Sequence, residues 1–180
     1  YSDSDLQSMK DVIDYAMDSD KTEKAFYVTG VNCTPGFARD QMINTKKLFK
    51  KEDGILAFHG YQAFKPDEVT PEVAHEIGIK LAEKLWGDRF EIVVTTHLDK
   101  KHIHNHFVLN SVSFVDGLKF NDCNESYHRM RKVSDDICKE YGLSVIEKPH
   151  KALSRMQYLA EKNGEMTKYT NVKRDIQESM

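Results

Sequence analysis

Cysteine is scarce: Cys33, Cys123 and Cys138 are the only thiols in 180 residues, and no two stand in a Cys-x-x-Cys spacing. That argues against a disulfide framework and against a cysteine zinc site, and it suits a reducing cytosol. No apolar run approaches the roughly 18 residues needed to span a bilayer, and no signal-peptide pattern opens the chain. Membrane insertion is therefore not expected. Nor is there an excess of positive charge, since 26 Lys and Arg face 29 Asp and Glu for a net charge of −3. The nine glycines are dispersed rather than gathered into a phosphate loop, so use of a nucleoside triphosphate is not indicated.

At 39% hydrophobic and 31% charged, the chain has the composition of a globular domain. Its acids are unevenly spread. Residues 1–23 hold seven acids and two bases, leaving 24 bases against 22 acids for the rest. Any contact with DNA would have to be local and directed rather than a general attraction to polyanions. The first residue is Tyr1 rather than Met, and the expectation is that an N-terminal piece precedes it.

Apolar spacing predicts a helix over residues 3–18 through Leu6, Met9, Val12, Ile13 and Met17. A β-rich strand follows over 25–32. Thr34-Pro35 opens a helix to about Phe49, and Thr70-Pro71 opens another to Trp86, each with proline at the first helical position. Strands are predicted over 54–64, Phe90–Thr96 and Ile103–Val112, and a helix over Asn124–Tyr141 stopped by Gly142. Only the tetrapeptide Leu98–Lys101 separates the last two strands, which requires an antiparallel hairpin. The expected fold is α+β: a mainly antiparallel sheet with helices packed on one face. The predicted domain covers residues 1–149, with a helical appendage over 150–180.

Half of the eight histidines fall inside ten residues: His97, His102, His104 and His106. Period-two alternation puts three of these imidazoles on one face of a strand, and the hairpin brings His97 alongside. Such a stack repels itself when protonated, below about pH 6.5, unless something occupies it. A divalent metal held by neutral imidazoles resolves the conflict, and three histidine ligands leave coordination positions open for chemistry. Spacing alone allows two registers, His97/His104/His106 or His97/His102/His104. Asp99 is either an acceptor that orients a ligand ring or a turn residue.

The stretch His97-x-Asp99, His104-x-His106 and Asn110 resembles the third motif of conjugative relaxases, the MobA-like and MobP-type enzymes of the HUH endonuclease superfamily. The resemblance favours the first register, and it extends over most of residues 10–146. It takes in Asp14-Tyr15-Ala16, Asp20–Glu23, Val31-Asn32-Cys33, Phe58–Phe64 and Tyr141-Gly142-Leu143. His102 and Asn105 depart from the pattern, because the pair His102-Ile103-His104 satisfies the superfamily's name more literally.

What this implies is site-specific nicking of single-stranded DNA at an origin of transfer. A tyrosine hydroxyl attacks one phosphodiester and stays linked to the 5′ phosphate. Tyr15 matches the family position for that nucleophile. The family usually begins with a short strand before the tyrosine helix, and this sequence is expected to lack it. The implied cofactor is Mn²⁺ or Mg²⁺, with Zn²⁺ or Ni²⁺ also suited to imidazoles. The implied partners are origin DNA, accessory relaxosome proteins and a coupling protein, in a bacterial cytoplasm. Lys100 and Lys101 beside the metal, and Arg129, Arg131 and Lys132, are the phosphate-contact candidates, with Lys46-Lys47 and Lys50-Lys51 as a further run. His59 stands where the family has a supporting histidine, whereas His75, His128 and His150 are expected at the surface. The other readings are a fragment that binds metal and DNA without cutting, a rolling-circle replication initiator, and a zinc hydrolase using activated water.

Overall fold

The computed structural model of the chain describes residues 27–98 and 102–146. The helix expected over 3–18, with Tyr15, the turn residues Asp99, Lys100 and Lys101, and the helical tail lie outside the described residues. The chain parts into two compact units, Tyr1–Val145 and Ile146–Met180, and the site stands in the first.

Four strands form one antiparallel sheet: β1 (Val28–Val31), β2 (Ala57–Ala63), β3 (Ile92–His97) and β4 (His104–Asn110). Their order is β1-β3-β4-β2, so the two strands of the histidine hairpin are central and the other two are edges. Every residue of β3 and β4 is buried, which explains why their sequences read as near-continuous apolar and β-branched runs at the centre. Among the described residues three helices pack on this sheet: α1 (Ala38–Leu48), α2 (Pro71–Trp86) and α3 (Asn124–Glu140).

One face of the sheet carries the larger core. Ile92, Val94, Phe107 and Leu109 pack there against Ala74, Ile77 and Leu81 of α2 and Ile137 of α3. Each such side chain contributes about 1.5–3 kcal/mol by leaving water, so this layer dominates the hydrophobic stabilisation. The opposite face carries a smaller cluster, in which Val93 and Val108 meet Ala38, Met42 and Ile43 of α1. The α+β class and the antiparallel sheet are as expected. To the single helix-covered face of the sequence reading, the structure adds a second.

Local signals account for the helix ends. Thr70 accepts a hydrogen bond from the Val73 amide at 3.4 Å, with Pro71 in the first helical position. The α3 terminus is a Schellman turn: Gly142 has φ 70°, its amide bonds the Lys139 carbonyl, and the Leu143 amide bonds Cys138. Thr34-Pro35 instead opens a 3₁₀ turn, Pro35–Phe37, before α1 begins at Ala38. Gly36, a poor helix former, stands in that turn.

Two expectations about basic side chains are corrected. Lys46 is not a phosphate-facing lysine; it is fully buried, and its ammonium donates to the Asn110 side chain and to the Met42 carbonyl. His75 is not at the surface; it is 7% exposed, because α2 presents it to the sheet between Ala74 and Ile77.

Candidate metal centre

Strand pairing builds the site. His97 on β3 stands opposite His104 on β4, and Thr95 stands opposite His106. Directly paired residues share a face, and His104 and His106 are two apart, so all three imidazoles project from the same side of the sheet. That side also carries α1, which covers Val93 and Val108 further along. Ring centroids lie 4.1 Å apart for His97–His106, 4.9 Å for His104–His106 and 5.3 Å for His97–His104.

One ligand nitrogen from each of His97, His104 and His106 can be chosen so that all lie within 4.8 Å of one another. The three rings are between 1% and 6% exposed. This spacing is right for three donors around one ion, and among the described residues it is the grouping of His, Cys, Asp and Glu that meets it. A soft-to-borderline divalent ion suits a set of imidazoles. Thr95 adds a second feature. Its side chain is fully buried on the same face, opposite His106, and its hydroxyl finds no hydrogen-bond partner among the described residues. A buried hydroxyl left in that state fits a place where a bound group supplies oxygen ligands.

The rings are held from outside. His104 Nδ1 lies 3.3 Å from the His102 carbonyl oxygen, so an Nδ1–H there donates to the backbone. His106 Nδ1 lies 2.7 Å from His59 Nε2, and the two rings stack at 4.9 Å with an 8° tilt. His59 belongs to the edge strand β2, where it is exposed. Burial lowers its pKa from the ordinary histidine value, and the charge on His97 adds to that effect.

His102 is half-buried with its ring 5.8 Å from His104, and it is outside the convergent set. Arg129 and Lys132 are exposed on α3 and Arg131 is half-buried; Lys132 is paired with Asp136 at 2.7 Å. Because α3 covers the larger core, these residues stand on the helix behind the sheet, not on the histidine face. Asn110, part of the histidine motif in sequence, joins Lys46 and Glu91 instead. Sequence reasoning passed over Tyr61, 71% exposed on the histidine face as the partner of His106. The period-two alternation of His59 and Tyr61 was the available signal, but it has no direction until the β2–β4 pairing is known.

The four-stranded antiparallel sheet thus carries a His-x-His pair on one central strand and a third histidine on its neighbour. Residues 15–143 match the MobA/VirD2-like relaxase nuclease domain, and the chain belongs to that family. It is similar to Protein rlx of Staphylococcus aureus, at 40% identity over 136 residues, which is 76% of this chain and 42% of the relative. A further Protein rlx of the same organism is 34% identical over 148 residues, covering 82% of this chain and 43% of the relative. The group II intron-interrupted relaxase LtrB of Lactococcus lactis subsp. cremoris (strain MG1363) is 31% identical over 173 residues, covering 74% of this chain and 31% of the relative. The chain thus spans less than half the length of these curated relatives.

Proposed function

We propose that this chain carries the nuclease centre of a relaxase. In this reading it nicks one strand of DNA at an origin of transfer, by tyrosine transesterification, to start conjugative transfer or mobilization. The observation that carries the proposal is the convergence of His97, His104 and His106 on one face of the sheet, in a chain of the relaxase family.

His97, His104 and His106 would hold the divalent ion. With the Nδ1 atoms of His104 and His106 directed to the His102 carbonyl and to His59, Nε2 is the atom through which each would do so. The bound ion would supply Lewis-acid polarisation of a phosphoryl oxygen. The protein supplies the nucleophile and the dry setting. The Tyr15 hydroxyl attacks the scissile phosphorus; its proton goes to a base or to water, the P–O3′ bond breaks, and the departing 3′ oxygen takes up a proton. The 5′ phosphate remains on the tyrosine as an ester, which keeps the bond energy for rejoining the strand. Asp99, between the two central strands in sequence, is proposed to orient a ligand imidazole.

Lys100 and Lys101, next in sequence, are proposed to meet the backbone phosphates beside the cut. Arg129, Arg131 and Lys132 are proposed to hold the strand further away. Accessory relaxosome proteins and a coupling protein would be the partners, in the bacterial cytoplasm. Among the described residues no helix is long and apolar enough to cross a membrane. Residues 1–149 are proposed as the catalytic part and 150–180 as its helical appendage.

The test is covalent capture. The chain is mixed with Mn²⁺ and single-stranded oligonucleotides tiled across its element's transfer origin, then run on a denaturing gel beside Tyr15→Phe. The expected result is a DNA adduct that Tyr15→Phe abolishes. An adduct that survives the substitution moves the nucleophile to another tyrosine, and hydrolysis without any adduct favours metal-activated water.

A further inference from the structure

Behind the histidines, on the α2 side of the sheet, a line of polar side chains, buried at its centre and half-buried at its ends, crosses all four strands. Thr29 of β1 lies 2.8 Å from His75 Nε2, and His75 Nδ1 lies 2.8 Å from the Thr96 hydroxyl of β3. Thr96 Oγ1 is 2.7 Å from Asn105 Oδ1 on β4. The Asn105 amide nitrogen reaches Gln62 Oε1 of β2 at 3.0 Å and the Ala74 carbonyl of α2 at 2.7 Å. Gln62 then donates to Ser134 of α3 at 2.7 Å.

From His75 Nδ1 to Ser134 the protons in this line can be placed by elimination. The Ala74 carbonyl only accepts, so the Asn105 nitrogen must face it and Asn105 Oδ1 must face Thr96. An amide oxygen also only accepts, so the single Thr96 hydrogen is committed to Asn105. Thr96 Oγ1 must then accept from His75, and His75 carries its hydrogen on Nδ1. Burial lowers the His75 pKa, which favours the neutral ring, and Nε2 then accepts from Thr29. All five side-chain hydrogen bonds from Thr29 to Ser134 run in one direction, an arrangement in which each polarises the next.

The line occupies a telling register. Thr96 and Asn105 are directly opposite each other, between the His97–His104 pair and the Thr95–His106 pair, and both are fully buried. A slip of one residue would throw His104 and His106 to the wrong face and leave Asn105 among the histidines. Gly78 of α2 makes the close approach possible, because a Cβ there would stand 2.6 Å from the Asn105 amide nitrogen.

We infer that His75 is a positioning residue for the histidine centre, a neutral Nδ1–H imidazole that holds β3 and β4 in register through Thr96 and Asn105. The inference rests on the metal reading above. It concerns residues on the face of the sheet opposite the three histidines.

The test uses the full chain and Mn²⁺ alone. Nitrogen-15 NMR of His75 at neutral pH is expected to give the Nδ1–H tautomer; the Nε2–H tautomer overturns the hydrogen-bond chain. Calorimetric Mn²⁺ titration separates positioning from bulk stability. His75→Asn places an amide nitrogen near Nδ1, and Thr96→Ser keeps the hydroxyl, so both are expected to stay within about threefold of the unaltered affinity. Thr96→Val and His75→Leu are expected to weaken binding about tenfold or more, the range seen when outer partners of metal ligands are lost. Unaltered affinity in a folded Thr96→Val or His75→Leu, with only a lower melting temperature, overturns the positioning role. Should both variants fail to fold, His75→Asn against His75→Gln decides it, because glutamine places its nitrogen near Nε2; equal affinities overturn the role. Absence of Mn²⁺ binding by the unaltered chain overturns the metal reading instead, and leaves the tautomer as a separate result.

Discussion

Asn110 and His106 stand four residues apart on the same face of β4, and their surroundings are opposites. Around Asn110, donors and acceptors balance. The Lys46 ammonium donates to the Asn110 oxygen, the Asn110 amide donates to the Glu91 carboxylate and the Met42 carbonyl, and Thr45 donates to Glu91 at 2.8 Å. Around His106, three imidazoles of one chemical kind point their nitrogens at a shared space. A cluster that satisfies itself is structure, whereas one whose like donors converge is a place for something else. Both clusters are buried and polar, so neither polarity nor burial distinguishes them; the sign and direction of the hydrogen bonds do.

Substitutions break the comparison most sharply at the ligands. His104→Ala is expected to weaken Mn²⁺ binding by more than about 100-fold, beyond the usual cost of an outer partner, with little change in folding. An unchanged titration would remove the metal site. Lys46→Ala is the mirror case. It removes the donor to the Asn110 oxygen and leaves a cavity where a fully buried side chain stood, and the expected loss is about 3 kcal/mol in chemical denaturation with Mn²⁺ affinity unchanged. If the metal affinity fell as well, the two clusters would be one system.

His59→Phe keeps a stacking ring on His106 while deleting the hydrogen bond, and about a tenfold loss of Mn²⁺ affinity is expected. A pH effect is confined to the closed cluster. Burial pushes the Lys46 amine down to about 8 from 10.5, against the pull of Glu91. Between those values the unfolded chain binds more protons than the folded one, so Lys46 makes stability rise with pH from about 8 to 10.5. Denaturation curves across that window should show the rise, and Lys46→Met should flatten it. The smallest expected effect is on DNA affinity. Arg129→Ala should lower the log–log salt slope by about one, from a total of only a few.

The histidine hairpin was legible because its residues lie close in sequence and its alternation has a single structural meaning. The antiparallel pairing of β3 with β4 followed from a connection too short for anything else. Lys46 was misread because it sits in a lysine-rich run and its partners, Glu91 and Asn110, are far along the chain; the Asn110 contact spans 64 positions. His75 was misread for a related reason. A lone histidine among the apolar positions of a helix shows its role only when Thr29 and Thr96, from two other strands, meet it. The second helix-covered face was hidden because the alternation of Val93 with Val94 disappears in a run that is apolar on both sides.

The histidines differ from their support in one more respect, which concerns time. His97, His104 and His106 belong to a single hairpin, whereas His59 reaches them across 47 positions of chain. Hairpins close in about 1–10 μs, and more distant pairings carry a larger entropic cost. The three imidazoles are therefore expected to meet as β3 and β4 zip together, before the edge strand bearing His59 docks. If the proposed centre takes up an ion, Mn²⁺ present during refolding is expected to bind that early hairpin and raise the refolding rate, which stopped-flow refolding with and without the ion would check.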